Sequence, residues 1–266
     1  MSDMVAEYGT TADGHWAARV DYLALIAIPI RDGYRLATAS TRSKPISQWS
    51  AADGFGFDGQ VADEASFRAH VEDCMLHFRQ RAALSRTRID LLMSTPWGPS
   101  QLATRYGEGI ICFDTASHGG FFLEQLRNAA MPPALRLQDG WYEEDCDWAL
   151  VATGYPDLFT DKERASADKT LRDWLPDAWE GFHGPQLERA ESFARDREGF
   201  ERDHAEDWIV IAATQSKAHP GDVIGIASRG GKRGAAPTRN FLIPGGEYER
   251  GRHGFVIDLS RHFRAD

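Results

Sequence analysis

The sequence predicts an α+β protein: mainly antiparallel sheets from N-terminal, central and C-terminal hairpins, with a helical, acidic segment in the middle. Three observations predict it. Apolar runs at residues 21–30 (DYLALIAIPI) and 34–40 (YRLATAS) flank an Asp32-Gly33 turn, a pair that tight antiparallel hairpins favour. Phe67, Val71, Cys74 and Phe78 recur at three- and four-residue intervals, the signature of one apolar helix face. After Asp207, short apolar runs alternate with Gly- and Pro-containing turns too short for parallel crossovers.

Taken in order, residues 1–18 are polar and read as a lead-in without regular structure, and residues 50–59 (SAADGFGFDG) read as a loop from their Gly and Asp content. The apolar spacing predicts a helix over residues 64–84. It carries His70 and His77, which stand roughly 10 Å apart along the axis and are no ligand pair for one metal ion. Residues 101–106 and 110–114 form a second expected hairpin, and a loop over residues 115–120 follows it. A short helix at 124–130 stops at Met131-Pro132-Pro133. Residues 142–155 (YEEDCDWALVATGY) read as a helix with three acids in its first turn, where they suit the positive end of the macrodipole. Thr160-x-x-Glu163 is a capping box opening a helix that runs towards Trp174, and residues 192–205 form a further charged helix. Strands are expected at 208–215, 223–229, 238–243 and 255–259. The expected organisation is residues 1–90 (hairpin plus amphipathic helix) and residues 91–266 (an α+β domain), able to pack as one globular unit.

With 266 residues, the chain is long enough to bury about three quarters of its unfolded surface. Its 42% hydrophobic and 26% charged residues exclude wholesale disorder. Cys74, Cys112 and Cys146 are far apart and lack Cys-x-x-Cys spacing, so reduced thiols and a cytoplasmic location are expected. The acidic start MSDMVAEYG is unlike a signal peptide, and the run from Tyr22 to Ile30 is half the length a bilayer requires. No membrane association is expected. The net charge of -10 is uneven: residues 1–138 carry 13 basic against 15 acidic groups, residues 139–207 carry 8 against 20, and residues 208–266 carry 9 against 5. An acidic block of this kind repels nucleic acid and attracts basic protein partners.

The succession WGPSQLATRYGEGIICFDTASHGGFFLE, then RNAAMP, then GWYEEDCDWALVATGYPDLF, over residues 97–159, resembles an uncharacterised bacterial family. That family is a domain of unknown function found on plasmids, phages and integrated elements. The likeness continues more loosely through DAWE, HAEDWIVIAA and FVID and leaves the N-terminal hundred residues uncovered. It implies a mobile element in a bacterium as the setting, and assigns neither an activity nor a cofactor.

The candidate site centres on FDTASHGGF, where His118 precedes Gly119 and Gly120, residues that permit a close backbone approach. Glu143, Glu144 and Asp145 offer carboxylates that would orient the imidazole as a general base. With only one histidine on offer locally, no metal site is assigned. Trp97, Trp141 and Trp148 are candidate pocket-lining residues, and on the expected helix Trp141, Asp145 and Trp148 share a face. Lys232, Arg233 and Arg239, around a glycine-rich turn, are candidate phosphate contacts. Ser117 and Cys112 make poor nucleophiles: Ser117 points away from its neighbour His118, and Cys112 reads as a small buried hydrophobe.

Two functional readings stand. The first is a small hydrolase-type enzyme with a His/carboxylate site at His118, Glu143, Glu144 and Asp145. The alternative is a non-catalytic accessory or anti-defence protein that binds a protein partner through the acidic helices of residues 139–207. Nucleic-acid binding through the basic C-terminal sheet is a weaker third.

Overall fold

The computed structural model describes residues 5–39, 44–234 and 236–265. The architecture is α+β with antiparallel sheets, as the sequence predicts. Two compact units divide the chain, Met1–Asp168 and Lys169–Asp266.

The first unit opens with a five-stranded antiparallel meander: β1 (Glu7–Thr10), β2 (Trp16–Val20), β3 (Leu23–Ile30), β4 (Gly33–Ala39) and β5 (Gly56–Val61). The Asp32-Gly33 hairpin forms between β3 and β4 as expected. Three of these strands lie where the sequence pointed to none. β1 and β2 occupy the supposed lead-in, and β5 occupies the supposed loop. β1 and β5 are edge strands, where ladder hydrogen bonds hold polar and Gly-containing segments that carry no apolar alternation. β2 buries mostly alanines, Ala17 and Ala18, which give a weak period-two signal.

α1 (Glu64–Ala83) starts at Asp63, whose carboxylate accepts from the Ser66 amide at 2.8 Å. Its buried face, Phe67, Val71, Cys74, Met75 and Phe78, packs on Ala18, Val20, Leu25, Ala27 and Leu36. Alternation along β3 sends Ala24 and Ile26 to the other face, against Ile46 and Trp49. The sheet is therefore covered on both sides.

A second sheet follows. β6 (Thr87–Ile89) and a two-residue ribbon of β7 (Ser94–Thr95) with β8 (Gly98–Pro99) precede β9 (Leu102–Gly107), β10 (Ile110–Asp114) and β11 (Gly119–Leu123). α2 (Gln125–Ala130), β12 (Trp141–Glu143) and α3 (Trp148–Gly154) come next, and the sheet order is β12-β11-β10-β9-β6. Here the expected helix at 142–155 is corrected: its first residues are a strand, and helix begins only at Trp148. Pairing with β11 outweighs the helix preference of the acids, because it buries Tyr142 completely. The Tyr142 hydroxyl donates to Asn128 Oδ1 at 2.6 Å and accepts from the Leu137 amide at 3.1 Å.

α4 (Asp161–Trp174) opens on the expected capping box: the Thr160 amide donates to Glu163 Oε2 at 2.8 Å, and the Glu163 amide to Thr160 Oγ1 at 3.2 Å. Arg86, at the end of α1, donates to both Glu163 carboxylate oxygens at 2.9 and 2.6 Å and to the Leu158 carbonyl at 2.6 Å.

In the second unit Pro176 begins a helix, α5 (Pro176–His183), which was not anticipated. At the first helical position its missing N–H costs no hydrogen bond. α6 (Phe193–Asp203) is capped by Ser192. The sheet is β13 (Trp208–Gln215), β14 (Val223–Arg229), β15 (Thr238–Ile243) and β16 (Phe263–Ala265), in that order. Three of its strands fall where expected, and the fourth is corrected. Residues 255–259 form no strand but lie beside the β13 edge, bonding through Val210 N–H to the Phe255 carbonyl and Ile257 N–H to the Trp208 carbonyl. Two arginines gather five acids of the acidic block: Arg195 holds Asp177, Glu180 and Glu198, and Arg189 holds Asp196 and Asp203. Among the described residues no helix is long and apolar enough to cross a membrane.

Burial pushes the Glu163 carboxyl up, but hydrogen bonds from Arg86 and the Thr160 amide outweigh it, and the net shift is downward. A depressed folded pKa contributes stability that is present above the unfolded value, about 4.3, and lost as pH falls through the folded value. Thermal melts of the native protein should therefore lose stability on acidification below about pH 4.5, and Glu163→Gln should flatten part of that loss. Arg86→Ala, which strands a largely buried carboxylate, should cost roughly 3 kcal/mol at neutral pH by urea unfolding.

Candidate functional site

His118 is presented by a tight turn between β10 and β11. The Thr115 amide donates to the His118 carbonyl at 2.8 Å, the Thr115 hydroxyl donates to the same oxygen at 2.7 Å, and the His118 amide donates to Thr115 Oγ1 at 3.2 Å. Gly119 and Gly120 are already in β11, opposite Asp114 and Phe113, and both are buried. The expected loop over residues 115–120 is thus shorter, and the two glycines form no anion-cradling nest.

Their purpose is packing room. A Cβ at Gly119 would stand 2.8 Å from Glu144 Oε2, and one at Gly120 would strike the Tyr142 carbonyl and stand 2.5 Å from the Trp97 ring. Gly120 faces Glu143 across the β11–β12 ladder. Because Gly120 has no side chain, Trp97 covers the backbone there and the Glu143 carboxylate leans diagonally towards His118.

The result is a trio. His118 Nδ1 lies 3.8 Å from Glu143 Oε1 and 3.9 Å from Glu144 Oε1, beyond hydrogen-bond range for either. One potential ligand atom from each of the three residues falls within 4.8 Å of the others. Glu143 Oε1 is buried and has no hydrogen-bond partner, while the Asp145 amide donates to Glu143 Oε2 at 2.6 Å. The His118 side chain is 53% exposed, so the trio is open to solvent. Of the expected carboxylates, Glu143 and Glu144 stand near the imidazole, but neither makes the expected orienting hydrogen bond to it. Asp145 contributes its backbone amide to orienting Glu143.

A groove of about 480 Å³ adjoins Glu143, with Trp97, Trp141 and Asp147 in its walls. Trp97 and Trp141 meet edge to face at 5.7 Å. Trp148 is not with them, because its helix starts after β12, and it packs 6.5 Å from Phe159 instead. Burial holds the Asp147 carboxyl above the usual carboxylate range. The sequence reading missed Asp147 and Trp97's place over Gly120; the first is visible only once Trp141–Glu143 is known to be a strand. Burial pushes the Cys112 thiol up to about 12, which leaves it protonated and a poor nucleophile.

Of the expected phosphate contacts Lys232, Arg233 and Arg239, the last two have different partners. Arg239 lies 4.7 Å from the Trp208 ring, as does Arg229, whereas Arg233 reaches the Ile211 carbonyl at 2.8 Å. A second trio, Asp58, His70 and Cys74, stands between β5 and α1, with His70 Nε2 hydrogen-bonded to Asp58 at 2.8 Å. His77 bonds Thr160 at 2.8 Å, so the two helix histidines serve separate partners, as their spacing predicts.

Gly120→Ala should destabilise the protein by about 1–3 kcal/mol, since the obstacles include a backbone carbonyl that cannot move aside. Chemical denaturation checks the value, and the near-ultraviolet circular dichroism of Trp97 and Trp141 should change with it.

The geometry lies within a recognisable segment: residues 91–205 match the model of a family described as a domain of unknown function (DUF7007). No curated protein and no solved structure matches the chain.

Proposed function

We propose that the protein is a small hydrolase whose centre is the His118, Glu143 and Glu144 trio, and that these three residues hold a divalent cation. One observation carries the reading: an exposed imidazole nitrogen stands 3.8 and 3.9 Å from two carboxylate oxygens without bonding either, and one of those oxygens is buried and unpartnered. Two ligands of a tetrahedral ion with bonds of about 2.1 Å stand roughly 3.4 Å apart, so the three groups would draw in by about half an ångström to close around an ion. A mixed nitrogen and oxygen set suits zinc, manganese or iron, and three protein ligands leave positions open for water and substrate, the pattern of catalytic rather than structural sites. An ion bound there would lower the pKa of its water towards about 7 and supply a nucleophile for hydrolysis.

The chain's own groups have distinct tasks. The Asp145 amide orients Glu143, the Thr115 turn holds the His118 backbone, and the Trp97 and Trp141 groove takes the apolar part of a substrate beside Glu143. The accessory-protein reading rests on charge alone, the excess of acids in residues 139–207 that Arg195 and Arg189 offset only in part. A mobile element as the setting rests on the motif resemblance. A reducing, cytoplasmic location is supported by three cysteines that are all free thiols.

Titration calorimetry with Zn²⁺ and Mn²⁺ should show about one ion per chain, and His118→Ala, Glu143→Gln and Glu144→Gln should each weaken binding about tenfold or more, comparable with the loss of a ligand or its supporting partner. Asp145→Asn should leave affinity nearly unchanged. The loaded protein should hydrolyse p-nitrophenyl esters or bis-p-nitrophenyl phosphate, and chelation should abolish the activity. If neither ion binds, or if His118→Ala binds as well as the native chain, the metal centre is wrong. Binding without turnover of either substrate type removes the hydrolytic assignment.

A further inference from the structure

The second unit contains a cleft of about 670 Å³ between α6 and β13, within the size range of small-molecule sites. Four arginines line it, Arg197, Arg233, Arg250 and Arg252, against one carboxylate, Glu201. Three of them come from residues 208–266, where basic groups outnumber acidic ones 9 to 5 in a chain with a net charge of -10.

The state of these four guanidinium groups distinguishes them from the structural arginines nearby. Arg195 is saturated by Asp177, Glu180 and Glu198. By contrast, Arg197 Nε stands 3.7 Å from Glu201, too far for a hydrogen bond, and Arg252 Nη1 is 3.5 Å from Asp196. Arg250 has no partner among the described residues, and Arg233 spends one nitrogen on the Ile211 carbonyl. Most of their donors are free. Two rings of α6, Phe193 and Phe200, share the cleft, and Arg252 lies 4.7 Å from the Phe193 ring. His253 also lines it; its side chain is only 7% exposed and Nε2 bonds Asp196 at 2.8 Å, so this part of the wall is rigidly built.

Guanidinium forks match phosphate oxygens in geometry, and like charges on low-dielectric walls focus the field into the cleft. Aromatic faces beside cations are the usual platform for a nucleobase. We propose that this cleft is a binding site for a phosphate-bearing ligand of nucleotide type, its phosphates held by the arginines and its base resting against the α6 rings. The ligand is either a free nucleotide or one nucleotide of a single strand. The cleft belongs to the second unit and the His118 trio to the first, and β13 with the segments after it lies beyond the residues matched by the family model.

The full chain should be tested with three probes: pyrophosphate, a purine nucleoside diphosphate and a fluorescent oligothymidylate, at about 50 mM and about 200 mM salt. Saturable binding is expected at the lower salt. Arg197→Ala and Arg250→Ala, both at exposed positions, should each weaken it roughly fivefold or more with the melting temperature unchanged, and Lys217→Ala should have no effect. Arg250→Lys should restore binding only in part, because an ammonium cannot present the guanidinium fork. Oligothymidylate affinity that grows with length and falls steeply with salt identifies a strand as the ligand; a diphosphate bound at least as well as the oligomer identifies a free nucleotide. No saturable binding of any probe at low salt, or unchanged binding in the Arg197→Ala, Arg250→Ala double variant, overturns the proposal.

Discussion

The first unit depends on Arg86. Its side chain is 9% exposed, lies 4.1 Å from the Tyr106 ring and 5.2 Å from that of Phe159, and spends its donors on Glu163 and the Leu158 carbonyl. Taking two charges out of water is expensive, so such a pair persists only where the remaining donors and acceptors are also met. Here they are. Glu163 simultaneously closes the capping box of α4, so one carboxylate joins the exit of α1 to the start of a later helix. The aromatic layer beneath continues the constraint: Tyr106 packs edge-on against Phe121 at 4.8 Å, and burial raises the Tyr106 hydroxyl to about 12.

Phe121 belongs to β11, the strand that also carries Gly119 and Gly120. The packing that holds β11 therefore controls where the His118 turn emerges, and pairing of Phe121 with Tyr142 sets the register that brings Glu143 and Glu144 to it. A one-residue slip in that ladder would send Glu143 to the opposite face. The buried hydrogen bond from Tyr142 to Asn128 fixes the register from the other side, since a slip would orphan both polar groups. Two demands thus meet on two short strands: Phe121 and Tyr142 anchor one face of the sheet, and Gly120 on the other makes room for the Trp97 indole.

The second unit handles charge differently. Five of its acids serve as partners for Arg195 and Arg189, with His253 sharing one of them, and these pairs tie α5, α6 and the loop at Arg252–His253 together. Individually such surface pairs are worth little, but Arg195 gathers three carboxylates into one network. Of the arginines at the α6–β13 cleft, Arg252 touches the same network through Asp196 at 3.5 Å, while Arg197, Arg233 and Arg250 stand outside it.

The sequence by itself determined the α+β class, the Asp32-Gly33 hairpin, α1 with its buried stripe, the Thr160 capping box and three of the C-terminal strands. Each is set by a local signal, a turn dipeptide, a 3.6-residue period or a cap, acting within one element. It also pointed to His118 with Glu143, Glu144 and Asp145 as candidates, through a histidine before paired glycines and a run of acids. Tertiary structure decided the rest. Whether Trp141 to Glu143 is strand or helix depended on the availability of β11 as a partner, and the acids alone pointed the wrong way. β1, β5 and the displaced fourth strand exist through edge pairing, which needs backbone groups and leaves no apolar alternation in the chain. That Trp148 turns to Phe159 while Trp97 covers Gly120, and that Arg233 faces a cleft while Arg239 lies on Trp208, follows from register and face, quantities fixed only when distant segments meet.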